Sequence, residues 1–395
     1  MNILFLMKCY EIGGQEIVTA TLAQCFIKHG HKITIACFNP PNPIMIQRTN
    51  PEVKFYTLGS FSLSQHNIKC LRNILAKEKI NIVINQWGLP YIPIQVLNKA
   101  KHNLAIKIIS IYHNSPDSNA RIKGVEIELN NTNSYIKKFF LHIKKFFFKQ
   151  TTRLSMCYVY NHSDLYMVLS PSFVEKFKAF TKISSPTKLL VQTNPVTIDA
   201  TDFHYISQNK QKEIIYMGRI DYNQKRVYRV IETWKEIENL YPEWRLSIIG
   251  DGPERNNLEQ KVKELNLKHI SFEGFQQPKA YYERASILIL TSEYEGFPLV
   301  LAECMSFGVI PVVYGSYSAV YDIIKHEKNG IIIQPKNNKF SKVDAAKQLS
   351  NIMDNNIKRE KMAQMAIKTS KENYSLEKIY QSWETIFRNV VYDII

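Results

Sequence analysis

Glu295-Gly296-Phe297-Pro298-Leu299-Val300-Leu301-Ala302-Glu303 is the stretch whose reading decides the fold. Ahead of it runs Ala285-Ser286-Ile287-Leu288-Ile289-Leu290, short, apolar and partly β-branched, the pattern of a buried strand. Pro298 suits the first position of a helix, where a missing N–H costs nothing, and the composition as far as Phe307 suits that helix. Strand, tight polar loop and helix follow in that order. Such a turn sets free backbone N–H groups and a positive dipole end beside the Glu295 carboxylate, with Glu303 further along the helix. Helix-start amides suit a phosphate, and carboxylates accept hydrogen bonds from hydroxyls, so one loop can hold both ends of a nucleotide-sugar. Two acids at this spacing are equally what a solvated surface loop would carry, so the context has to decide.

Outward from this loop the same rhythm repeats. Residues 2–7 read as a first buried strand, Gly13-Gly14-Gln15-Glu16 as a turn, then an apolar helical pattern ended by Gly30, then a strand over 32–38. This is a βαβ opening, and glycines at such a turn let a phosphate approach the backbone. A full Gly-x-Gly-x-x-Gly is missing, which argues against a dinucleotide fingerprint. Residues 80–84, 106–111 and 163–169 read as further parallel strands, the second running into Tyr112-His113-Asn114. A polar stretch over 195–212 reads as a boundary. Beyond it the α/β alternation restarts at 213–217, followed by Gly218-Arg219-Ile220-Asp221-Tyr222-Asn223-Gln224-Lys225-Arg226. The domains expected are 1–196, a linker 197–212, 213–378, and a last helix 379–395.

The 395 residues exceed one ordinary core, and 45% apolar content is ample for two. A net charge of +16 favours anionic partners. Six scattered cysteines without a Cys-x-x-Cys read as reduced thiols and not a zinc site. The first residues lack the basic leader of a signal peptide, and no run nears the ~20 apolar residues of a membrane span. A cytoplasmic protein, peripheral on the membrane, is expected. Ile136-Lys137-Lys138-Phe139-Phe140-Leu141-His142 and Ile143-Lys144-Lys145-Phe146-Phe147-Phe148-Lys149 form a near-repeat. On one helix, over about 134–153, it sets Ile and Phe on one face and five lysines on much of the rest, which suits an anionic bilayer surface. No nucleic-acid motif occurs.

Glu295-Gly296-Phe297-Pro298 with Glu303 eight residues on, followed by Gly308-Val309-Ile310-Pro311-Val312-Val313, resembles the signature of the family 4 retaining glycosyltransferases. Gly13-Gly14-Gln15-Glu16 and the loop from Gly218-Arg219 to Lys225 resemble that family's other motifs. Lys225-Arg226 stands where the family has Lys-Gly, and the loop is one residue longer than its commonest form. The resemblance covers nearly the whole chain and implies an α/β, GT-B architecture: two Rossmann-like domains with parallel sheets facing across a cleft.

It implies site residues as well. Arg219 and Lys225, with Arg226 able to share the role, would hold the donor diphosphate and stabilise its leaving charge. Glu295 and the backbone at Phe297, Pro298 and Leu299 would face donor sugar and phosphate. Glu303 would accept from the ribose. Gly14 would let the first domain approach the phosphates, and His113 would touch the sugar. Transfer would retain the anomeric configuration by front-face attack, with electrostatic stabilisation of the leaving group and without metal or cofactor. The implied partners are a nucleotide-sugar donor, UDP- before GDP-linked, and a saccharide or lipid-linked saccharide acceptor of surface polysaccharide synthesis. A sugar-nucleotide epimerase on a similar scaffold, or a non-catalytic basic membrane-binding protein, are the alternatives.

Overall fold

The computed structural model describes residues 1–337 and 339–392. The chain forms two compact units, Met1–Thr197 with Leu376–Ile395, and Ile198–Ser375. Of the segment expected over 379–395, residues 393–395 lie outside the described residues.

The first unit is a seven-stranded sheet of β1 (Asn2–Met7), β2 (Lys32–Cys37), β3 (Lys54–Thr57), β4 (Ile82–Asn85), β5 (Lys107–Tyr112), β6 (Leu165–Val168) and β7 (Leu189–Val191). Their order is β3-β2-β1-β4-β5-β6-β7, and every pairing is parallel. Helices cover both faces, so the central strands are buried throughout and read as unbroken apolar runs such as Ile3-Leu4-Phe5-Leu6. The helix Leu376–Val391 completes this unit. Its Trp383 and Phe387 meet Phe26 of the helix Gly14–Lys28 with ring centroids 5.9 and 5.2 Å apart.

The second unit holds β8 (Glu213–Met217), β9 (Arg245–Ile249), β10 (Ile270–Gly274), β11 (Ile287–Leu290), β12 (Ile310–Tyr314) and β13 (Ile331–Ile333). Their order is β10-β9-β8-β11-β12-β13, again all parallel. In both sheets the order reverses once, between β1 and β4 and between β8 and β11. Those reversal points, at the carboxyl ends of the strands, are where open α/β sheets form ligand crevices. Residues 198–212, polar in sequence, are anchored on the second unit: Phe203 packs on Phe307 at 5.0 Å, and Lys210 Nζ donates to the Tyr282 carbonyl at 2.7 Å.

The near-repeat lies in one helix, Tyr135–Asn161, capped by the Ser134 hydroxyl, which accepts from the Lys137 N–H. Leu141, Thr152, Met156 and Val159 are buried on its inner side. Ile136, Phe139, Phe140, Ile143, Phe146, Phe147 and Leu154 face outward, from 39% exposed at Ile143 to 73% at Ile136. The lysines do not share one surface, which corrects the sequence reading. Lys138 and Lys145 lie half-buried toward the inner side, and Lys145 and Lys144 pair with Glu126 and Glu128 of the helix Ala120–Asn131 at 2.9 and 3.7 Å. At 100° per residue, Lys137 and Lys144 border one edge of the exposed apolar stripe, and His142, Lys149 and Arg153 the other.

Candidate functional site

The two loops at the reversal point of the second sheet are tied to each other. Gly218, at the end of β8, has φ +147, and Gly250 after β9 has φ +136; a Cβ on Gly250 would collide with the Gly218 carbonyl, so only glycines let these strand exits approach so closely. From there the chain runs through Arg219 to Arg226. Asp221 organises that run. Its Oδ1 accepts the backbone N–H of Gln224 at 2.7 Å and of Lys225 at 3.2 Å, and its Oδ2 takes the Arg219 guanidinium at 2.7 Å. Burial pushes the Asp221 carboxyl up, but those two N–H groups and Arg219 outweigh it and hold it below the usual carboxylate range.

The loop after β11 closes onto this one. The Glu293 N–H donates to the Gln224 carbonyl at 2.7 Å. Lys225 Nζ sits 2.5 Å from Glu295 Oε1, and Gln224 Nε2 donates to Glu295 Oε2 at 3.2 Å. The Lys225–Glu295 pair is secluded, its side chains 17% and 9% exposed, whereas the Arg219 guanidinium stands 63% exposed. Arg219, Lys225 and Glu295 are thus brought into one network, with Asp221 and Gln224 as members that spacing alone did not reveal. A cation held by a single carboxylate keeps donors available, and a diphosphate needs such donors.

Phe297, Pro298 and Leu299 lead into the helix Leu299–Ser306. Pro298 is its N-cap, at φ −72 and ψ 102, and not its first helical residue as expected; the helix starts one residue later. Phe297 is buried against Tyr374, ring centroids 5.4 Å apart. Glu303 is buried in the same helix, where Oε2 accepts from the Tyr282 hydroxyl at 3.3 Å. Burial raises that hydroxyl well above the usual tyrosine range, so it stays a donor.

Arg226 has φ +53, the left-handed region. A glycine there would carry no strain, which accounts physically for the Lys-Gly pattern from which this chain departs. The Arg226 side chain lies over the Tyr222 ring at 4.9 Å. With Arg229 it faces Glu293, whose Oε2 is 2.9 Å from Arg229 and 3.9 Å from Arg226.

Gly14 and His113 belong to the first unit. Gly14 opens the helix Gly14–Lys28 after β1, and a Cβ on its neighbour Gly13 would crowd the Glu16 carboxylate. His113 follows β5. Its Nε2 lies 2.6 Å from Gln86 Oε1, Gln86 Nε2 donates to Thr19 Oγ1 at 3.1 Å, and Thr19 Oγ1 donates to the Gln15 carbonyl at 2.8 Å. With its amide spent on Thr19, Gln86 offers His113 an acceptor. This places the imidazole proton on Nε2 and leaves Nδ1 as the acceptor. Burial lowers the His113 pKa to about 4, so the ring is neutral at pH 7.

Comparison with known proteins bears on the whole chain. Residues 12–199 match the description Glycosyltransferase Family 4, and residues 198–369 match Glycosyl transferases group 1. An uncharacterized glycosyltransferase of Haemophilus influenzae is 28% identical over 54% of this chain, a match that spans 56% of the relative's own length. A Campylobacter jejuni protein is 25% identical over 99% of both chains; it is named GalNAc-alpha-(1->4)-GalNAc-alpha-(1->3)-diNAcBac-PP-undecaprenol alpha-1,4-N-acetyl-D-galactosaminyltransferase. Among solved structures, Anabaena Alr3699/HepE in complex with UDP superposes with a TM-score of 0.76, at 13% identity, over 98% of this chain and all of the other. The fold is GT-B, built of two Rossmann-like domains. With the two matches abutting and together running from residue 12 to residue 369, the chain belongs to the group 1, family 4 glycosyltransferases.

Proposed function

We propose that this glycosyltransferase moves a hexose or N-acetylhexosamine from a UDP-sugar to a membrane-linked saccharide, with retention, forming an α-glycosidic bond. The observation that carries this reading is the paired set Arg219–Asp221 and Lys225–Glu295 at the reversal point of the second sheet. Arg219 and Lys225 hold the diphosphate as its charge grows on leaving, and that electrostatic contribution dominates the chemistry. Glu295 accepts from donor sugar hydroxyls, Glu303 from the ribose, and His113 from a sugar hydroxyl through Nδ1. The acceptor attacks from the face the diphosphate leaves, and the leaving phosphate takes its proton, so no covalent nucleophile and no metal or cofactor enters the scheme. UDP is favoured as the nucleotide by the Anabaena structure, and a lipid-linked acceptor by the name of the Campylobacter relative. This sets the enzyme in surface polysaccharide synthesis: lipopolysaccharide, O-antigen or capsule.

The acceptor's membrane gives the helix Tyr135–Asn161 its role. Among the described residues no helix is long and apolar enough to cross a membrane. This one carries an exposed apolar stripe, basic edges and no acidic residue, and lies along the cytoplasmic leaflet. Each basic residue near an anionic surface adds about 1 kcal/mol.

The donor reading is tested by UDP release from a panel of UDP-sugars with a lipid-linked saccharide acceptor. Arg219→Ala should lose at least about 100-fold in turnover with the fold intact by circular dichroism. Release at the wild-type rate by that variant would sink the assignment. Flotation on phosphatidylglycerol vesicles tests the helix: Lys137→Glu with Lys149→Glu and Arg153→Glu should abolish binding, and undiminished binding would remove the membrane role.

A further inference from the structure

The reversal point of the first sheet holds a cluster for which the donor chemistry has no use. Lys8 leaves β1 directly and Trp87 follows β4 by two residues, so the two stand at the carboxyl ends of the strands where the order turns. Lys8 Nζ lies 5.3 Å from the Phe61 ring centroid and 5.4 Å from that of Trp87. The rings are 6.1 Å apart and inclined at 54°, so the ammonium sits in the angle between them. Their supports are rigid. Phe61 packs edge-on against buried Phe38 at 5.0 Å, and buried Asn67 donates to the carbonyls of Ser60 and Ser62 at 2.9 and 2.8 Å on either side of it. The Trp87 backbone N–H donates to Asn85 Oδ1 at 3.2 Å.

Two features separate this cluster from an ordinary cation–π contact inside a fold. Among the described residues no carboxylate pairs with Lys8, so its charge is met only by ring faces. Lys8, Phe61 and Trp87 are also all partly exposed, whereas the other three tryptophans, Trp234, Trp244 and Trp383, are each 1% exposed. Two half-open aromatic faces at a fixed angle offer the C–H face of a pyranose a place to stack. An ammonium between them offers charge-assisted hydrogen bonds to an anionic substituent on that ring.

The geometry points to a saccharide subsite formed by Lys8, Phe61 and Trp87 that takes a pyranose bearing a carboxylate or a phosphate. It deepens the acceptor side of the proposed reaction and rests on that reading for the choice of a sugar. The site binds its sugar without donor, so it can be tested apart from transfer.

Trp87 supplies the signal, because the other tryptophans are sealed in the cores. Intrinsic fluorescence of the full-length protein is titrated with methyl α-glucopyranoside, methyl α-glucopyranosiduronate and glucose 6-phosphate. Saturable change is expected with both anionic sugars, at least about fivefold tighter than with the neutral one. The ranking of the two anionic probes tells a uronate-bearing from a phosphate-bearing acceptor. Lys8→Met should abolish the anionic preference while keeping the fold, and Phe61→Leu should weaken all three sugars. No saturable change up to about 50 mM, far beyond a millimolar Kd, would overturn the proposal. So would an unaltered preference in Lys8→Met, or displacement of the probe by UDP, which would assign Lys8 to the donor. UDP release from UDP-sugar by the same preparation reports the donor reading independently.

Discussion

Replacing Glu295 by glutamine should separate donor binding from transfer. Lys225 Nζ lies 2.5 Å from Glu295 Oε1 in a pair whose side chains are 17% and 9% exposed. A diphosphate reaching Lys225 comes within about 5 Å of that carboxylate, because both contact one ammonium. Two unit charges that far apart repel by roughly 3 kcal/mol at an effective dielectric of about 20. Counter-ions and relaxation remove about half of that, leaving about 1.5 kcal/mol, or about tenfold in Kd. Glu295→Gln keeps the shape and the contact with Gln224 and removes the charge. UDP should therefore bind about tenfold more tightly to the variant by isothermal titration calorimetry, with the gain shrinking as salt is added. Transfer from UDP-N-acetylglucosamine should fall at the same time, because a neutral amide accepts more weakly from sugar hydroxyls as charge develops. Unchanged or weaker UDP binding would show that Lys225 is not the shared ligand, and the electrostatic reasoning would fail.

Other consequences follow from the same geometry. Lys225→Met leaves the secluded Glu295 with Gln224 as its neighbour and should cost about 2–3 kcal/mol, lowering the Tm of the second unit by about 5–10 °C, with much of it recovered in the double variant with Glu295→Gln; no recovery would contradict the pairing. At Arg226 the usual order of glycine and alanine should invert: Arg226→Gly relieves the left-handed strain and Arg226→Ala does not, so the glycine variant should be the more stable by about 1 kcal/mol in urea denaturation. His113 titrates near 4 folded and near 6.5 unfolded, so between those values the unfolded chain binds the extra proton; stability is full above pH 6.5 and falls as the pH drops toward 4, with His31 adding to the same slope. His113→Gln should flatten that fall in Tm measured from pH 7 to 4.5, and an unchanged slope would show that the ring is not neutral through burial.

The two sheets were legible because parallel strands buried on both faces leave unbroken apolar runs, as at residues 3–6 and 287–290, each closed by a glycine-bearing or polar turn. The short edge strands Lys54–Thr57 and Leu189–Val191 carried no such signal; they are three or four residues long and only partly covered. The loops over 218–226 and 291–298 were legible as sets of residue types and spacings. What spacing could not show was that Lys225 and Glu295, 70 positions apart, meet at a strand-order reversal, or that Asp221 braces the loop from within. For Arg226 the sequence showed the departure from Lys-Gly, and the backbone angle showed why glycine suits that position. The lysines of Tyr135–Asn161 were misassigned in part because periodicity cannot see Glu126 and Glu128 on the neighbouring helix. The Lys8 cluster draws on three separate strand-end loops, and no local pattern announces that.

The helix Leu376–Val391 seats Trp383 and Phe387 against Phe26, so the first unit is finished by residues that leave the ribosome only after the second has been made. Until then an aromatic socket on the helix Gly14–Lys28 stands open on the nascent chain. The first-born half is thus the last to become stable. Its maturation is timed by synthesis of the helix Leu376–Val391, and a message truncated after codon 375 would yield one finished half and one that chaperones and proteases can recognise.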